Sequence, residues 1–289
     1  MSDRDPATAL NRMPRRIVAP LWFFLGGLGA GAYVFGVLLG VLLHDREGLA
    51  HARFGDLAGL VCVGIGAALL TAELTRPLAM WRLLARVKIV SPLSQGVWFL
   101  TLFLLCAFLE CLSVYGIVHL PGAAIVGWVG VGLAIGLASY TGLLLVGSSR
   151  PLWSASVLPG PLFLTLALAS GGALHLAAQP LLRSYESTTR VSAAVGVLAI
   201  GAMVLTLAWV LVVRARVGRD HPRLQLLLRG RLAPLYWGSR VCGALVPGVL
   251  LAPAAFGGAC ALPVLVGAST LAGGLGLRYT IYNADLEKR

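Results

Sequence analysis

Two carboxylates, Glu73 and Glu110, stand in or at the end of long uncharged stretches of this chain, where an ionised group is expensive and so marks chemistry. Glu73 precedes Arg76 by three residues, which leaves a local i,i+3 ion pair and a proton-handling role both open. Glu110 falls in the second half of its stretch, on the same side as His175 and Arg190. Together these three would make a polar route across the protein, or they would simply pair with one another. A further pattern is steric. The first stretch carries Gly27 and Gly31, then Gly36 and Gly40, each pair at G-x-x-x-G spacing. Such a stripe lets a second helix approach closely, or offers a smooth wall to a flat ring.

Other chemistries are disfavoured by placement. A b-type haem needs paired histidines at suitable depths on neighbouring helices. Of His44, His51, His119, His175 and His221, all but His175 fall at the ends of apolar runs or between them, so no haem is expected. The cysteines, Cys62, Cys106, Cys111, Cys242 and Cys260, lie inside apolar runs without a C-x-x-C pair, so they read as small hydrophobes rather than iron–sulfur or zinc ligands.

The elements that must position these groups are membrane helices. The 289 residues are 58% hydrophobic and 12% charged, with a mean hydropathy of +0.87, too little charge to cover a soluble surface. Long Leu/Ala/Val/Gly runs without two-residue alternation exclude a barrel and leave helices, whose backbone groups pair internally. The expected fold is all-α, one integral membrane domain over 1–289 with a basic tail at 1–16. About eight spans are expected, near 17–43, 56–74, 93–118, 122–147, 156–179, 191–213, 234–254 and 258–280. The first is too long for a signal-peptide core and reads as a retained helix. The last two are divided at Pro253 and Gly257-Gly258, because one helix through the charge-free run Val241 to Leu277 would be about 55 Å long.

The net charge of +12 does not imply nucleic acid, because the basic residues sit between apolar runs, as orientation signals do. In the eight-span arrangement the N-terminus, the even-numbered connections and the C-terminus collect 19 of the 23 Lys and Arg residues. The other face keeps Arg46, Arg53, Arg183 and Arg190, so both termini are expected in the cytoplasm. Segment 75–92 interleaves Trp81, Leu83, Leu84 and Val87 with Arg82, Arg86 and Lys88, as an amphipathic segment on that face would. The basic 214–233 connection reads as an orientation signal, a lipid contact or a docking surface.

The stretches TAELTRPLAMWRLLARVKIVSPLSQGVW (71–98), SYTGLLLVGSSRPLW (139–153), PGPLFLTLALASGGAL (159–174) and LRYTIYN (277–283) together resemble the NrfD/PsrC family of membrane subunits from polysulfide-reductase-type complexes. The resemblance implies an eight-helix subunit, usually without haem or iron–sulfur cluster, in a bacterial inner membrane. It would exchange electrons between a quinone, menaquinone or ubiquinone, and a ferredoxin-like iron–sulfur subunit wired to a molybdopterin catalytic subunit. Carried onto this chain, it makes Tyr140 the donor to a quinone carbonyl and Glu73 an acidic residue near the site. Arg190 is similar to an arginine of a proton route, while Trp22, Gly27, Gly31, Arg76 and Trp98 are expected around the quinone. Some relatives have polar groups, histidine among them, near the start of the first span, where this chain has Val18 and Trp22. With cytoplasmic partners, the implied donor would be a substrate such as sulfite or formate; a reductase anchor oxidising quinol is the alternative. A secondary transporter using Glu110, His175 and Arg190 is a rival, although no inverted repeat is visible. An anchor without quinone turnover is another.

Overall fold

The computed structural model describes residues 15–73, 92–148, 150–183, 187–251 and 262–286. The fold is all-α, and the described residues contain no strand. The main helices are α1 (Arg15–Leu43), α2 (Arg46–Glu73), α3 (Pro92–Val114), α4 (Ala123–Val146), α5 (Pro159–Ala177) and α6 (Thr188–Val217). The seventh, α7, is a continuous run over 233–251, made of Ala233–Arg240, a π-helical turn at Val241–Leu245, and Val246–Leu251. The last, α8, is Pro263–Leu286. Seven of these, all but α7, are long and apolar enough to cross a membrane.

Two contacts fix how the helices alternate. Arg223, after α6, pairs with Asp285 near the end of α8 at 2.6 Å. At the other face the Ser187 N–H, before α6, donates to Glu47 at the start of α2 at 3.0 Å. Since α6 and α8 finish at one face, α7 must return the chain across the bundle, and its run is about 28 Å long. The polytopic reading therefore holds with eight helices. The proposed break at Pro253 and Gly257-Gly258 lies outside the described residues, as does the amphipathic segment 75–92 up to its last residue, Pro92, which opens α3.

The outer surface suits lipid. Large apolar side chains such as Ile65, Leu105, Phe108, Ile125, Val129, Val204, Leu211 and Leu265 are exposed, far beyond the apolar patches of soluble proteins. Inside, α1 is the central helix, packed on α2, α4, α5 and α8. Its glycines set these distances. A Cβ on Gly31 would overlap the carbonyl of Ala167 on α5, and one on Gly36 would stand 2.8 Å from the Cα of Gly55 on α2. Of the two roles open to the G-x-x-x-G spacing, close helix approach is the one the packing uses.

Two helix ends depart from the sequence-based boundaries. Asp45 caps α2, its Oδ1 accepting the Gly48 N–H at 2.8 Å, so the helix starts at Arg46 rather than near residue 56. The charged segment read as a loop is a first helical turn, and His51 is thereby buried within the bundle. Arg278, counted by sequence with the basic inner face, is 1% exposed inside the protein.

The Arg-Pro-Leu-Trp motif after α4 has a structural task. Leu152 and Trp153 donate backbone N–H groups to Asp285 Oδ2 at 3.0 and 3.4 Å, and Arg150 donates to the Asp285 carbonyl at 2.7 Å. The Trp153 indole donates to the Ile281 carbonyl at 3.0 Å and stacks on Tyr282. Thus the 4–5 connection, the 6–7 connection and the end of α8 are tied together at one buried carboxylate.

Candidate functional site

Helices α1 to α4 enclose an apolar cleft of about 520 Å³ at the end where α1 and α3 begin and α2 and α4 finish. Trp22 and Gly26 come from α1, Gly66 and Leu70 from α2, Gly96 and Leu100 from α3, and Leu137 and Tyr140 from α4. The polar groups are few. Thr141 lines the cleft but turns its hydroxyl back to the Ala138 carbonyl at 2.7 Å. Tyr140 is 8% exposed, and its ring occupies the space a side chain at Gly96 would fill. Only glycine admits the phenol there. The Gly96 backbone N–H supports the Tyr140 oxygen, and a phenol that accepts through oxygen still carries a donor proton.

This arrangement suits a flat apolar molecule with one hydrogen-bond acceptor. Glycines flatten two of the walls, leucines line the rest, and Tyr140 fixes orientation with Trp22 able to stack on a ring or donate an N–H. The α2 backbone brings Glu73 to the same end, one turn beyond the lining residue Leu70. The Glu73 side chain and the whole of Arg76 lie outside the described residues.

Other expected residues are placed differently. Gly27 faces Arg278 and Ala167, and Gly31 faces α5, so neither lines the cleft; Gly26 and Gly66 supply the flat wall. Trp98 is off the lining, with a buried indole N–H that has no partner among the described residues. Glu110 lines a separate cleft at the opposite end of the bundle. His175 is fully buried and bonded to His51, their Nδ1 atoms 2.9 Å apart. The Arg190 side chain is exposed and makes no ion pair or side-chain hydrogen bond with other described residues. The three-residue polar route is therefore not assembled, because Arg190 points off the bundle while Glu110 and His175 enter different networks.

The histidine network has a defined direction. His175 Nε2 lies 3.0 Å from the Ala32 carbonyl, which can only accept, so that nitrogen carries the proton. In the neutral pair His175 Nδ1 then accepts from His51 Nδ1–H, and His51 Nε2 accepts the Ser187 hydroxyl at 2.9 Å. Sequence reasoning missed His51, Asp56, Arg278 and Asp285. Asp56 and Arg278 carried a usable signal, a charge within or at the edge of an apolar run. Arg278 donates to Ser170 and the Gly274 carbonyl and lies over the Phe24 and Phe163 rings, leaving Nε and Nη2 without partners among the described residues.

Residues 11–285 match the family described as polysulphide reductase, NrfD. The sequence is also 32% identical over 175 residues to the C subunit of polysulfide reductase from Wolinella succinogenes, an alignment covering 52% of this chain and 53% of that one. The chain thus spans about half the length of the curated relative it matches. With the family match running through all eight helices of a multi-pass bundle, the chain belongs to the NrfD polysulphide reductase family.

Proposed function

We propose that this chain is the quinone-reactive membrane subunit of an oxidoreductase complex, exchanging electrons between a membrane quinone and an iron–sulfur subunit wired to a molybdopterin enzyme. The observation that carries this is the apolar cleft among α1 to α4, with Tyr140 as its deeply set phenol. A quinone supplies two-electron, two-proton redox chemistry. Tyr140 would donate to one carbonyl, held in place by Gly96, and Trp22 would cover the ring. The α2 end would bring Glu73 within reach as a proton exchanger, with Arg76 beside it in sequence. The external substrate would react on the partner.

The 19-to-4 basic asymmetry, even with Arg278 removed from the larger count, favours a cytoplasmic location for the cleft end and for the partners in a bacterial inner membrane. That placement suits an internal donor such as sulfite or formate, with electrons delivered to menaquinone or ubiquinone.

A photoreactive quinone analogue applied to the purified complex tests the site: labelling of peptides around Trp22, Leu70 and Tyr140 is expected. Labels confined to the opposite half would reject it. C-terminal reporter fusions test the orientation. A fluorescent cytoplasmic reporter is expected, whereas an active alkaline phosphatase would move the partners outside.

A further inference from the structure

Where α1 packs on α5 and α8, the interior holds a positive charge that no described carboxylate balances. Arg278 of α8 is 1% exposed, and its guanidinium carbon lies 5.4 Å from the centre of the Phe24 ring and 5.9 Å from that of Phe163. Its Nη1 donates to the Ser170 hydroxyl at 3.5 Å and to the Gly274 carbonyl at 3.3 Å. Nε and Nη2 are buried without partners among the described residues. The side chains around it, from α1, α5 and α8, are therefore apolar or hydroxyl. Asp285, the one carboxylate within α8, stands two turns further on and is held by Arg223 and by backbone N–H groups. A guanidinium keeps its proton in proteins, so this charge is permanent.

The charge sits at the level of the Tyr140 cleft. Arg278 precedes Asp285 by seven residues and Tyr140 precedes the end of α4 by six, so each lies about 10 Å below the same face. Two neighbouring glycines of α1 separate them sideways. A Cβ on Gly27 would stand 2.9 Å from Arg278 Nη2, whereas Gly26 lines the cleft and a Cβ there would meet no atom within 4 Å. Consecutive helical residues point about 100° apart, which puts the guanidinium about 10 Å from the middle of the cleft, across the α1 backbone. Among the described residues no charged side chain lines the cleft itself. At this separation, through a protein interior, one unit charge changes an ionisation equilibrium roughly tenfold. We infer that Arg278 acts across α1 as a fixed positive charge that favours negative charge on whatever occupies the Tyr140 cleft. Resting on the quinone reading, it eases the arrival of an electron from the iron–sulfur partner before a proton follows. Arg278 itself touches no reacting atom; no bond forms or breaks there, and it gains and loses neither proton nor electron.

A hydroxynaphthoquinone, whose colour changes when its hydroxyl ionises, tests this on the purified full chain without any turnover. Its visible spectrum, followed against pH while bound, gives the midpoint of its ionisation in the cleft. Arg278→Gln should raise that midpoint by roughly one pH unit, a tenfold loss of the ionised form, and leave binding of the neutral form nearly unchanged. Arg278→Lys, which keeps the charge and loses the planar fork, should stay close to wild type. Ser170→Asp sets a carboxylate beside the retained guanidinium and should raise the midpoint as Arg278→Gln does, so the question is answered even where the glutamine variant does not fold. In the intact complex the same tenfold change would lower the one-electron potential of the bound quinone by about 59 mV. A midpoint that neither neutralising variant moves overturns the inference and leaves Arg278 as a link between α5 and α8. So does a loss of both forms alike that lysine fails to restore, since that is the mark of a structural role. Failure of the wild type to bind the naphthoquinone at the Tyr140 cleft would instead overturn the quinone reading.

Discussion

The two ends of the α1 to α4 bundle are built from the same helices and have opposite chemistry. At one end glycines and leucines flank a single phenol, and among the described residues no charged side chain lines the cleft. At the other end two buried carboxyl groups face a cleft that no described lysine or arginine lines. Between them, Tyr33 packs edge-on to Phe103 at 5.2 Å and seals the middle. The difference shows how a helix bundle separates chemical environments along its axis. A helix rises about 1.5 Å per residue, so about ten residues of one helix separate an apolar, glycine-lined end from a carboxyl-lined end.

The comparison breaks most completely at the helix the two ends share. Gly31→Leu would drive a side chain into the Ala167 backbone, where no rotamer relieves the overlap. Loss of folded, monodisperse protein in detergent is expected, and size-exclusion chromatography of a fluorescent fusion reads it directly. Normal elution of this variant would show that the α1–α5 crossing is not needed.

Tyr140→Phe should act at one end alone. Removing one hydrogen bond to a bound carbonyl costs about 1–3 kcal/mol, so quinone-dependent turnover should fall about 10- to 100-fold. Unchanged turnover would mean that the phenol does not hold the reacting carbonyl.

Asp285→Asn sharpens the comparison from outside the bundle, at the Tyr140 end. Its carboxylate joins Arg223 and two backbone N–H groups while 0% exposed. Losing the charge should destabilise the protein by roughly 1–3 kcal/mol, seen as a lower thermal unfolding midpoint with quinone labelling preserved. A midpoint equal to wild type would reduce the carboxylate to a neutral hydrogen-bonding role.

The smallest effect is expected from Arg190→Gln. An exposed side chain without partners among the described residues should change stability by no more than about 0.5 kcal/mol and leave turnover alone. A marked fall in turnover would restore Arg190 to a proton route.

Composition was enough to identify the solvent, because a chain that is 12% charged has no way to clothe a soluble surface. Uncharged run lengths then placed the helices, and Gly27, Gly31, Gly36 and Gly40 announced a close crossing before its partner was known. Local pattern could not decide partners. Asp45 turns a charged stretch into the first turn of α2, and that one cap carries His51 into the bundle beside His175. Similarly, Glu110, His175 and Arg190 share a half of the protein by depth, yet depth says nothing of azimuth, and each faces a different neighbour. Sequence alone determined that this is an all-helical membrane protein with costly charges inside. Only the packing decided that Gly96 makes room for Tyr140, that Asp56 and Glu110 line one cleft, and that Asp285 ties three segments at one face, because each depends on how helices distant in sequence are rotated toward one another.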